Sequence, residues 1–518
     1  MGEEDPKAPE SKKNPEVWKA VAMADHFEKI QKLPDKIDGV PNFRRVPGYK
    51  VYCCGQPTKD GFDKAIEKVC GDKYPKDGKI VWINMRQEAI IYVNGNPVCA
   101  RPPNKIGEYA ELGNVTRDSV KADEEEFQKV LESRMKNNGG KLTIVDVSKK
   151  ESEVEVKELI TLSKVMESLK EKYPGLTHNR IPVCNSAAPL EKDFDTICNA
   201  LLGSNVNAPV IVNCQVGLSR STTGCVCTCI FREFQLSASY EGLIETVPGV
   251  NLELLKMDKY EIDKTKDALF RGEFEVVKEL LAAFEDGPAS KRECDKIIDR
   301  NGPKPLGTGI KQLRENIAES KLSYEIMDDA AQAFLKTKIM DNIQKYFYLI
   351  CFTGYLRDQG RIAVDGISED EKKDFSLAGG KVSAPTENVK LVKTFQTWMD
   401  EHVNFRTICV EGKGKLQWER DIPQDALDNL QNLAKSDFKK NLGKIIHDIY
   451  LTGHNLFKDM PQGDHKKRAK YRFASKTLMR ILPEELKKDI EALIANKTMT
   501  LDLYEILGQC TWGQGKSL

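Results

Sequence analysis

Several things are missing from this chain of 518 residues, and each absence narrows what it can be. It has no net charge, because 79 Lys and Arg balance 79 Asp and Glu. That argues against bulk electrostatic adhesion to nucleic acid or membrane and leaves only local basic pockets. It has no run of about 20 apolar residues, so no transmembrane helix is expected. Its opening, Met-Gly-Glu-Glu-Asp-Pro-Lys, has no apolar stretch, so neither a signal peptide nor a mitochondrial presequence is expected. Pro6 stands where a myristoylation signal wants Ser or Thr. No short internal repeat is visible. The 14 cysteines lack metal-ligand spacing with His partners. Without a secretory signal they read as reduced thiols of a cytosolic protein. Cys53-Cys54 is open to reading as a vicinal redox pair, and Cys225, Cys227 and Cys229 as small core residues. No metal or cofactor is expected.

What is present is a change of texture along the chain. Residues 1–15 read as a disordered polar tail. The apolar spacing of Val17, Trp18, Val21, Phe27, Ile30 and Leu33 predicts a helix over 17–33. Strands are expected near 49–53, 79–86, 89–93, 142–147, 179–183 and 209–213. Helices are expected near 60–70, 121–136, 152–171 and 191–202. Asn94-Gly95 marks a turn. This alternation argues for an α/β fold, a mixed or parallel sheet flanked by helices. Beyond about 255 the pattern becomes mainly helical, over 256–285, 308–357, 386–402, 424–457 and 467–495. The aromatic stripe of 343–357 reads as helix core, the Gly-, Ser- and Pro-containing stretch 359–390 as a mobile loop, and the basic cluster 465–470 as a solvated face. The expected organisation is an α/β domain over 16–285, a helical extension over 286–405 and a helical C-terminal region over 406–518.

The most informative segment is Pro-Val-Ile-Val-Asn-Cys-Gln-Val-Gly-Leu-Ser-Arg-Ser-Thr-Thr, residues 209–223. An apolar strand ends at Cys214, five residues intervene before Arg220, and a helical stretch comes next. Such a loop suits an anion. Its backbone N–H groups converge at a helix N-terminus, and Arg220 offers a planar fork for two phosphoryl oxygens. Cys214 is the candidate nucleophile, since a helix N-terminus and an arginine both favour a thiolate. Gln215, Val216, Gly217, Leu218 and Ser219 are the candidate cradle. Ser221 and Thr222 offer hydroxyls to the sulfur. The alternative is a buried strand–turn–helix with a structural cysteine and a solvated arginine.

The run Cys-Gln-Val-Gly-Leu-Ser-Arg-Ser resembles the loop of dual-specificity and related cysteine phosphatases. Those enzymes usually carry His before the Cys, where this chain has Asn213. Other segments narrow the resemblance. Pro41-Asn42-Phe43-Arg44-Arg45-Val46 with Gly55-Gln56-Pro57 is similar to the opening of a paladin repeat. Trp82-Ile-Asn84-Met-Arg86-Gln87-Glu88 with Tyr92, Asn94-Gly95 and Pro97 is similar to that family's signature strand pair. Arg180-Ile-Pro-Val-Cys-Asn-Ser-Ala-Ala-Pro189 is similar to the acid-loop region of paladins and of bacterial phosphatase-like inositol polyphosphatases. The likeness runs from about 38 to 400.

The resemblance implies a metal-free cysteine phosphatase acting on a phosphorylated protein or an inositol phosphate, with Arg86 contacting phosphate or else paired structurally with Glu88. It also implies that the proton donor of the acid loop falls at Asn185, which cannot serve as an acid. Glu191, Asp193 and Asp195 are candidate substitutes, although carboxylates there also suit a helix start. Two readings stay open: an enzyme with impaired turnover, and an inactive phospho-ligand-binding or scaffold protein.

Overall fold

The computed structural model describes residues 20–25, 36–71, 79–102, 117–146, 148–184, 187–202, 204, 208–239, 269–301, 313–324, 329–365, 391–414 and 422–457, and parts of 470–488. In chain order the strands are β1 (Val21–Ala24), β2 (Arg44–Arg45), β3 (Val51–Cys54), β4 (Ile80–Arg86), β5 (Ile90–Val93), β6 (Asn96–Arg101), β7 (Lys141–Val145), β8 (Glu151–Glu155), β9 (Leu159–Thr161), β10 (Leu176–Val183) and β11 (Val210–Asn213). Helices α1 to α5 are Lys59–Cys70, Arg117–Asn137, Leu162–Lys172, Glu191–Leu202 and Arg220–Ser239. Helices α6 to α12 are Glu275–Ala282, Gly287–Arg300, Leu313–Tyr324, Asp329–Asp365, Phe395–Glu401, Val403–Gly414 and Gln424–Leu456.

The chain divides into two compact units interleaved in sequence. One comprises Met1–Tyr260, Leu281–Gln312 and Gln344–Arg406; the other comprises Glu261–Leu280, Leu313–Ile343 and Thr407–Leu518. The first unit holds two sheets. The five-stranded sheet runs β10-β4-β11-β3-β2, parallel except for β2. All seven residues of β4 and all four of β11 are buried, as expected of parallel strands covered on both faces. On one face, Ile80, Trp82, Tyr52 and Ile211 pack against Phe62 and Ile66 of α1 and Val165 and Leu169 of α3. On the other face lie α4 and α5. Gly224 brings α5 close, because a Cβ there would sit 2.3 Å from the sulfur of Met85.

The six-stranded sheet runs β8-β7-β1-β6-β5-β9 and is antiparallel except where β1 meets β7. Its core joins Ala22, Val98, Leu142 and Ile144 to Phe127 and Leu131 of α2. Three expectations are corrected here. Within 17–33 the described residues form strand β1 rather than helix. Val21–Ala24 hydrogen-bonds to β6 on one side and β7 on the other, and that ladder outweighs local periodicity. The helix expected over 152–171 begins only at Leu162, capped by the Thr161 hydroxyl accepting from the Lys164 N–H. Residues 151–161 supply the two edge strands of the sheet, the charged β8 and the short β9. Finally, 359–365 belong to α9 rather than a loop, while 366–390 lie outside the described residues.

The first unit also contains α7, α10 and the part of α9 from Gln344 onward. There the aromatic stripe is core: Phe352 and Tyr355 pack with Phe395 and Trp398 of α10, and Phe352 with Phe194 of α4. The second unit has its own helical core of Leu427, Leu430, Ile445, Ile449, Phe457 and Phe473. Within α12, Asp437 leaves the helical conformation and its carboxylate accepts from the Lys440 N–H, so a cap lies inside the run. The basic cluster 465–470 lies almost wholly outside the described residues.

Candidate active site

Two parallel strands, β3 and β11, finish level, and β4 beside them runs two residues further. Asn213 at the end of β11 stands opposite Cys54 of β3 and Asn84 of β4. Cys214 therefore emerges at the carboxyl edge of the sheet, the place where open α/β folds bind ligands. Hydrogen bonds to three successive carbonyls shape the loop after Cys214. The Gln56 N–H donates to the carbonyl of Gln215 at 2.9 Å. The Asn42 side chain donates to that of Val216 at 2.7 Å. Arg44 Nη1 donates to that of Gly217 at 2.6 Å, and its Nη2 to the Thr222 hydroxyl at 2.8 Å. In a trans peptide the C=O and the next N–H point opposite ways. Anchoring these carbonyls outward therefore turns the N–H groups of Val216, Gly217 and Leu218 inward. Gly217 has φ +84, and a Cβ on it would lie 2.4 Å from the backbone of Cys54 and Gly55. Glycine is required there on both counts.

The Cys214 side chain is buried. Its sulfur accepts from the Gly217 N–H at 3.2 Å and lies 3.2 Å from the Ser221 hydroxyl. Helix α5 starts at Arg220, so its N-terminal dipole faces the same space. Arg220 is buried, with Nη2 at 2.9 Å and Nη1 at 3.2 Å from the Glu88 carboxylate, and Nη1 at 2.9 Å from the Val183 carbonyl. Thus the structure brings together Cys214, Gly217, Arg220 and Ser221. Val216 and Leu218 line the loop half-buried, and Ser219 is exposed.

Behind Arg220 stands a wall of buried charge. Glu88 is shared with Arg86 Nε at 3.0 Å. Arg86 Nη1 is ion-paired with Asp25. Asp25 in turn accepts from Gln215 Nε2 at 2.6 Å, and Gln215 Oε1 accepts from Arg101 Nη2 at 3.0 Å. Arg86, Asp25, Glu88 and Arg101 are all buried. Arg86 thus lies in ion pairs with Asp25 and Glu88. Burial works against the charge of Glu88, but Arg220 and Arg86 outweigh it and hold its carboxyl below the ordinary range. Burial pushes Asp25 up, partly opposed by Arg86 and Gln215. Arg180 buttresses the wall from the side, donating from Nη2 to the Glu88 carbonyl at 2.7 Å and pairing with Glu124 at 3.3 Å. Burial raises Glu124 to about 7, with Arg180 and the Ile90 N–H opposing.

Asn213 is tied down on both ends of its amide. Its oxygen accepts from the Trp82 indole at 2.8 Å, and its nitrogen donates to Gln56 at 3.0 Å. Asn185 lies outside the described residues. The three carboxylates downstream of it are engaged elsewhere. Glu191 binds Arg406. Asp193 accepts from the Leu190 N–H at 2.7 Å, serving the start of α4. Asp195 accepts from the Phe395 and Gln396 N–H groups at the start of α10.

Sequence reasoning passed over Asp25, Asn42, Arg44, Gln56 and Glu88 as parts of the site. Asn42, Arg44, Gln56 and Glu88 sit inside motifs already singled out, and Glu88 comes two residues after Arg86. Asp25 gave only one signal, an acidic residue ending the short apolar run Val-Ala-Met-Ala.

Known proteins share much of this chain. Residues 83–232 match the model of the family described as PTP-like phytase, inositol hexakisphosphate. Paladin of Danio rerio is 24% identical over 397 residues, which is 74% of this chain and 41% of that protein. Paladin of Homo sapiens is 26% identical over 322 residues, 61% of this chain and 33% of that protein. The chain thus spans well under half the length of these relatives. Among solved structures, the tandemly repeated PTP-like phytase of Mitsuokella multacida aligns with a TM-score of 0.38 at 14% identity, covering 71% of this chain and 49% of that one. The PTP-like myo-inositol phosphatase of the same organism, solved with myo-inositol-(1,3,4,5)-tetrakisphosphate, aligns with a TM-score of 0.38 at 13% identity, covering 68% and 49%.

Proposed function

We propose, from its kinship with the paladins and its PTP-like phytase region, that this chain binds a phosphate monoester at the Cys214 loop and dephosphorylates it slowly through a phosphocysteine. The observation that carries this reading is the Cys214 sulfur, 3.2 Å from both the Gly217 N–H and the Ser221 hydroxyl beside a buried Arg220. The thiolate attacks phosphorus, the S–P bond forms as the P–O bond breaks, and the leaving oxygen takes a proton from water. Inward N–H groups and Arg220 stabilise the equatorial oxygens, and Ser221 stabilises the sulfur when water later displaces it. Gln215, Val216, Leu218 and Ser219 complete the cradle. Arg86 acts behind it. The substrate class is a phosphoprotein or an inositol phosphate.

Turnover is slow because Asn185 stands where an acid is wanted, a deficit of about a hundred- to ten-thousand-fold. The test is a rapid-mixing assay with an activated aryl phosphate, whose leaving group needs little help. The expected result is a stoichiometric burst that Cys214→Ser abolishes. A wild-type protein giving neither burst nor turnover, yet binding vanadate, would favour the second reading, an inactive phospho-ligand-binding protein. That reading draws on Glu191, Asp193 and Asp195 all being engaged elsewhere.

A further inference from the structure

Gln215 is the first residue after the candidate nucleophile, and its carboxamide is gripped at both ends by the other sheet. Asp25, directly after β1, takes the amide N–H at 2.6 Å; Arg101, the last residue of β6, gives a hydrogen bond to the amide oxygen at 3.0 Å. The amide cannot be turned over without placing its nitrogen against Arg101 and its oxygen against Asp25. The same Asp25 carboxylate pairs with Arg86, which shares Glu88 with Arg220. One buried path, Gln215–Asp25–Arg86–Glu88–Arg220, therefore runs from the start of the loop to its end without passing through the loop. Asp25 is the only member supplied from the N-terminal strand, and its backbone is fixed in turn, with its N–H donating to the Pro97 carbonyl at 3.0 Å.

We infer that Asp25 is a positioning residue for the phosphate loop, which holds Gln215 and, through Arg86 and Glu88, Arg220 in the geometry that receives a phosphoryl group. This deepens the phosphate-binding reading and rests on it. A carboxylate suits the task because two acceptor oxygens can serve two donors at once, and charge-assisted bonds are short and directional. Asp25 touches no reacting atom. Its effect reaches the sulfur only through the loop.

The experiment measures the alkylation rate of Cys214 by iodoacetamide, read by peptide mass spectrometry across a pH series, with and without vanadate, on the full chain. Three forms are compared: wild type, Asp25→Asn, and the exchange Asp25→Asn with Gln215→Glu, which restores a carboxylate–carboxamide pair facing Arg101 and Arg86. Vanadate protection should weaken about tenfold to a hundredfold in Asp25→Asn, the scale set by small misplacements in a site. The exchange should recover most of it, whereas a merely structural role would lower the unfolding midpoint of Asp25→Asn and leave vanadate protection of the folded protein unchanged. Asp25→Asn with wild-type protection and an unchanged pH profile would overturn the inference. If wild type itself shows no vanadate protection, the phosphate-binding reading fails instead. The inference is then judged by whether the unprotected alkylation profile shifts in Asp25→Asn and returns in the exchange. Should Asp25→Asn fail to fold, Gln215→Ala decides, because it removes the gripped amide and keeps the Asp25–Arg86 pair. The same weakening supports the inference, and full protection defeats it.

Discussion

The two sides of the Cys214 loop are held by different kinds of bond. The outer side, formed by Asn42, Arg44 and Gln56, is fastened to backbone carbonyls. The inner side, formed by Asp25, Arg86, Glu88 and Arg101, is fastened through side-chain charges, all of them buried. Bonds to carbonyls set the direction of peptide units and give the loop its shape. Ion pairs set where a charged clamp stands, and in a buried site each depends on its partner's charge remaining. Shape and charge placement are thus assigned to separate parts of the sequence, and they should fail separately.

The strongest challenge to that division is Glu88→Gln. Breaking this buried pair removes the carboxylate facing Arg220 and leaves Arg86 with Asp25 alone, which costs about 3–5 kcal/mol, measured by denaturant unfolding. A loss near zero would mean the inner wall is not held by charge. Next comes Arg220→Lys, which keeps the charge and loses the fork. The burst rate should fall about a hundred- to thousandfold with little change in unfolding midpoint. An equal loss of stability would merge the two roles.

Glu124 tests the inner wall by pH. The fold holds its proton more tightly than the unfolded chain does, since its carboxyl is raised to about 7. Its contribution is therefore most favourable in acid and is lost as pH rises through about 7. Relative to Glu124→Gln, wild type should lose about 3 kcal/mol at most between pH 4 and 8. A difference that is flat with pH would remove Glu124 from the account. The smallest effect is expected on the outer side. Asn42→Ala removes the hydrogen bond to the Val216 carbonyl and leaves a φ of +54 that alanine tolerates less well, costing about 1–2 kcal/mol. If it matched Glu88→Gln, the contrast between the two sides would collapse. A separate gain-of-function arm is Asn185→Asp, expected to raise turnover of substrates with poor leaving groups and to leave activated aryl phosphates nearly unchanged.

Much of the loop itself was legible in the sequence, because its parts are contiguous. The apolar strand, Cys214, Gly217, Arg220 and the helix after them lie within a few turns of chain, and α4 runs over the residues its pattern predicts. The inner side was not legible. Val21–Ala24 is a four-residue strand whose partners begin at Val98 and Ile144. No local spacing announces such pairings, and the apolar periodicity of 17–33 points to a helix. With β1 read as helix, Asp25 has no place beside Arg86, and Arg86 is left with Glu88 as its one evident partner. The alignment of β3, β4 and β11 is hidden for the same reason, since register depends on partners and not on neighbours.

That alignment makes the sheet a gauge with a step of one residue. A single deletion inside Ile80–Arg86 would draw its end back by about 3.3 Å and send each side chain beyond it to the opposite face. Arg86 would then point towards the layer of Met85 and α5, away from Asp25 and Glu88. Loops elsewhere can gain or lose residues while the chemistry persists. Here length itself decides which face carries Arg86, which a scan of single-residue deletions across β4 would read directly.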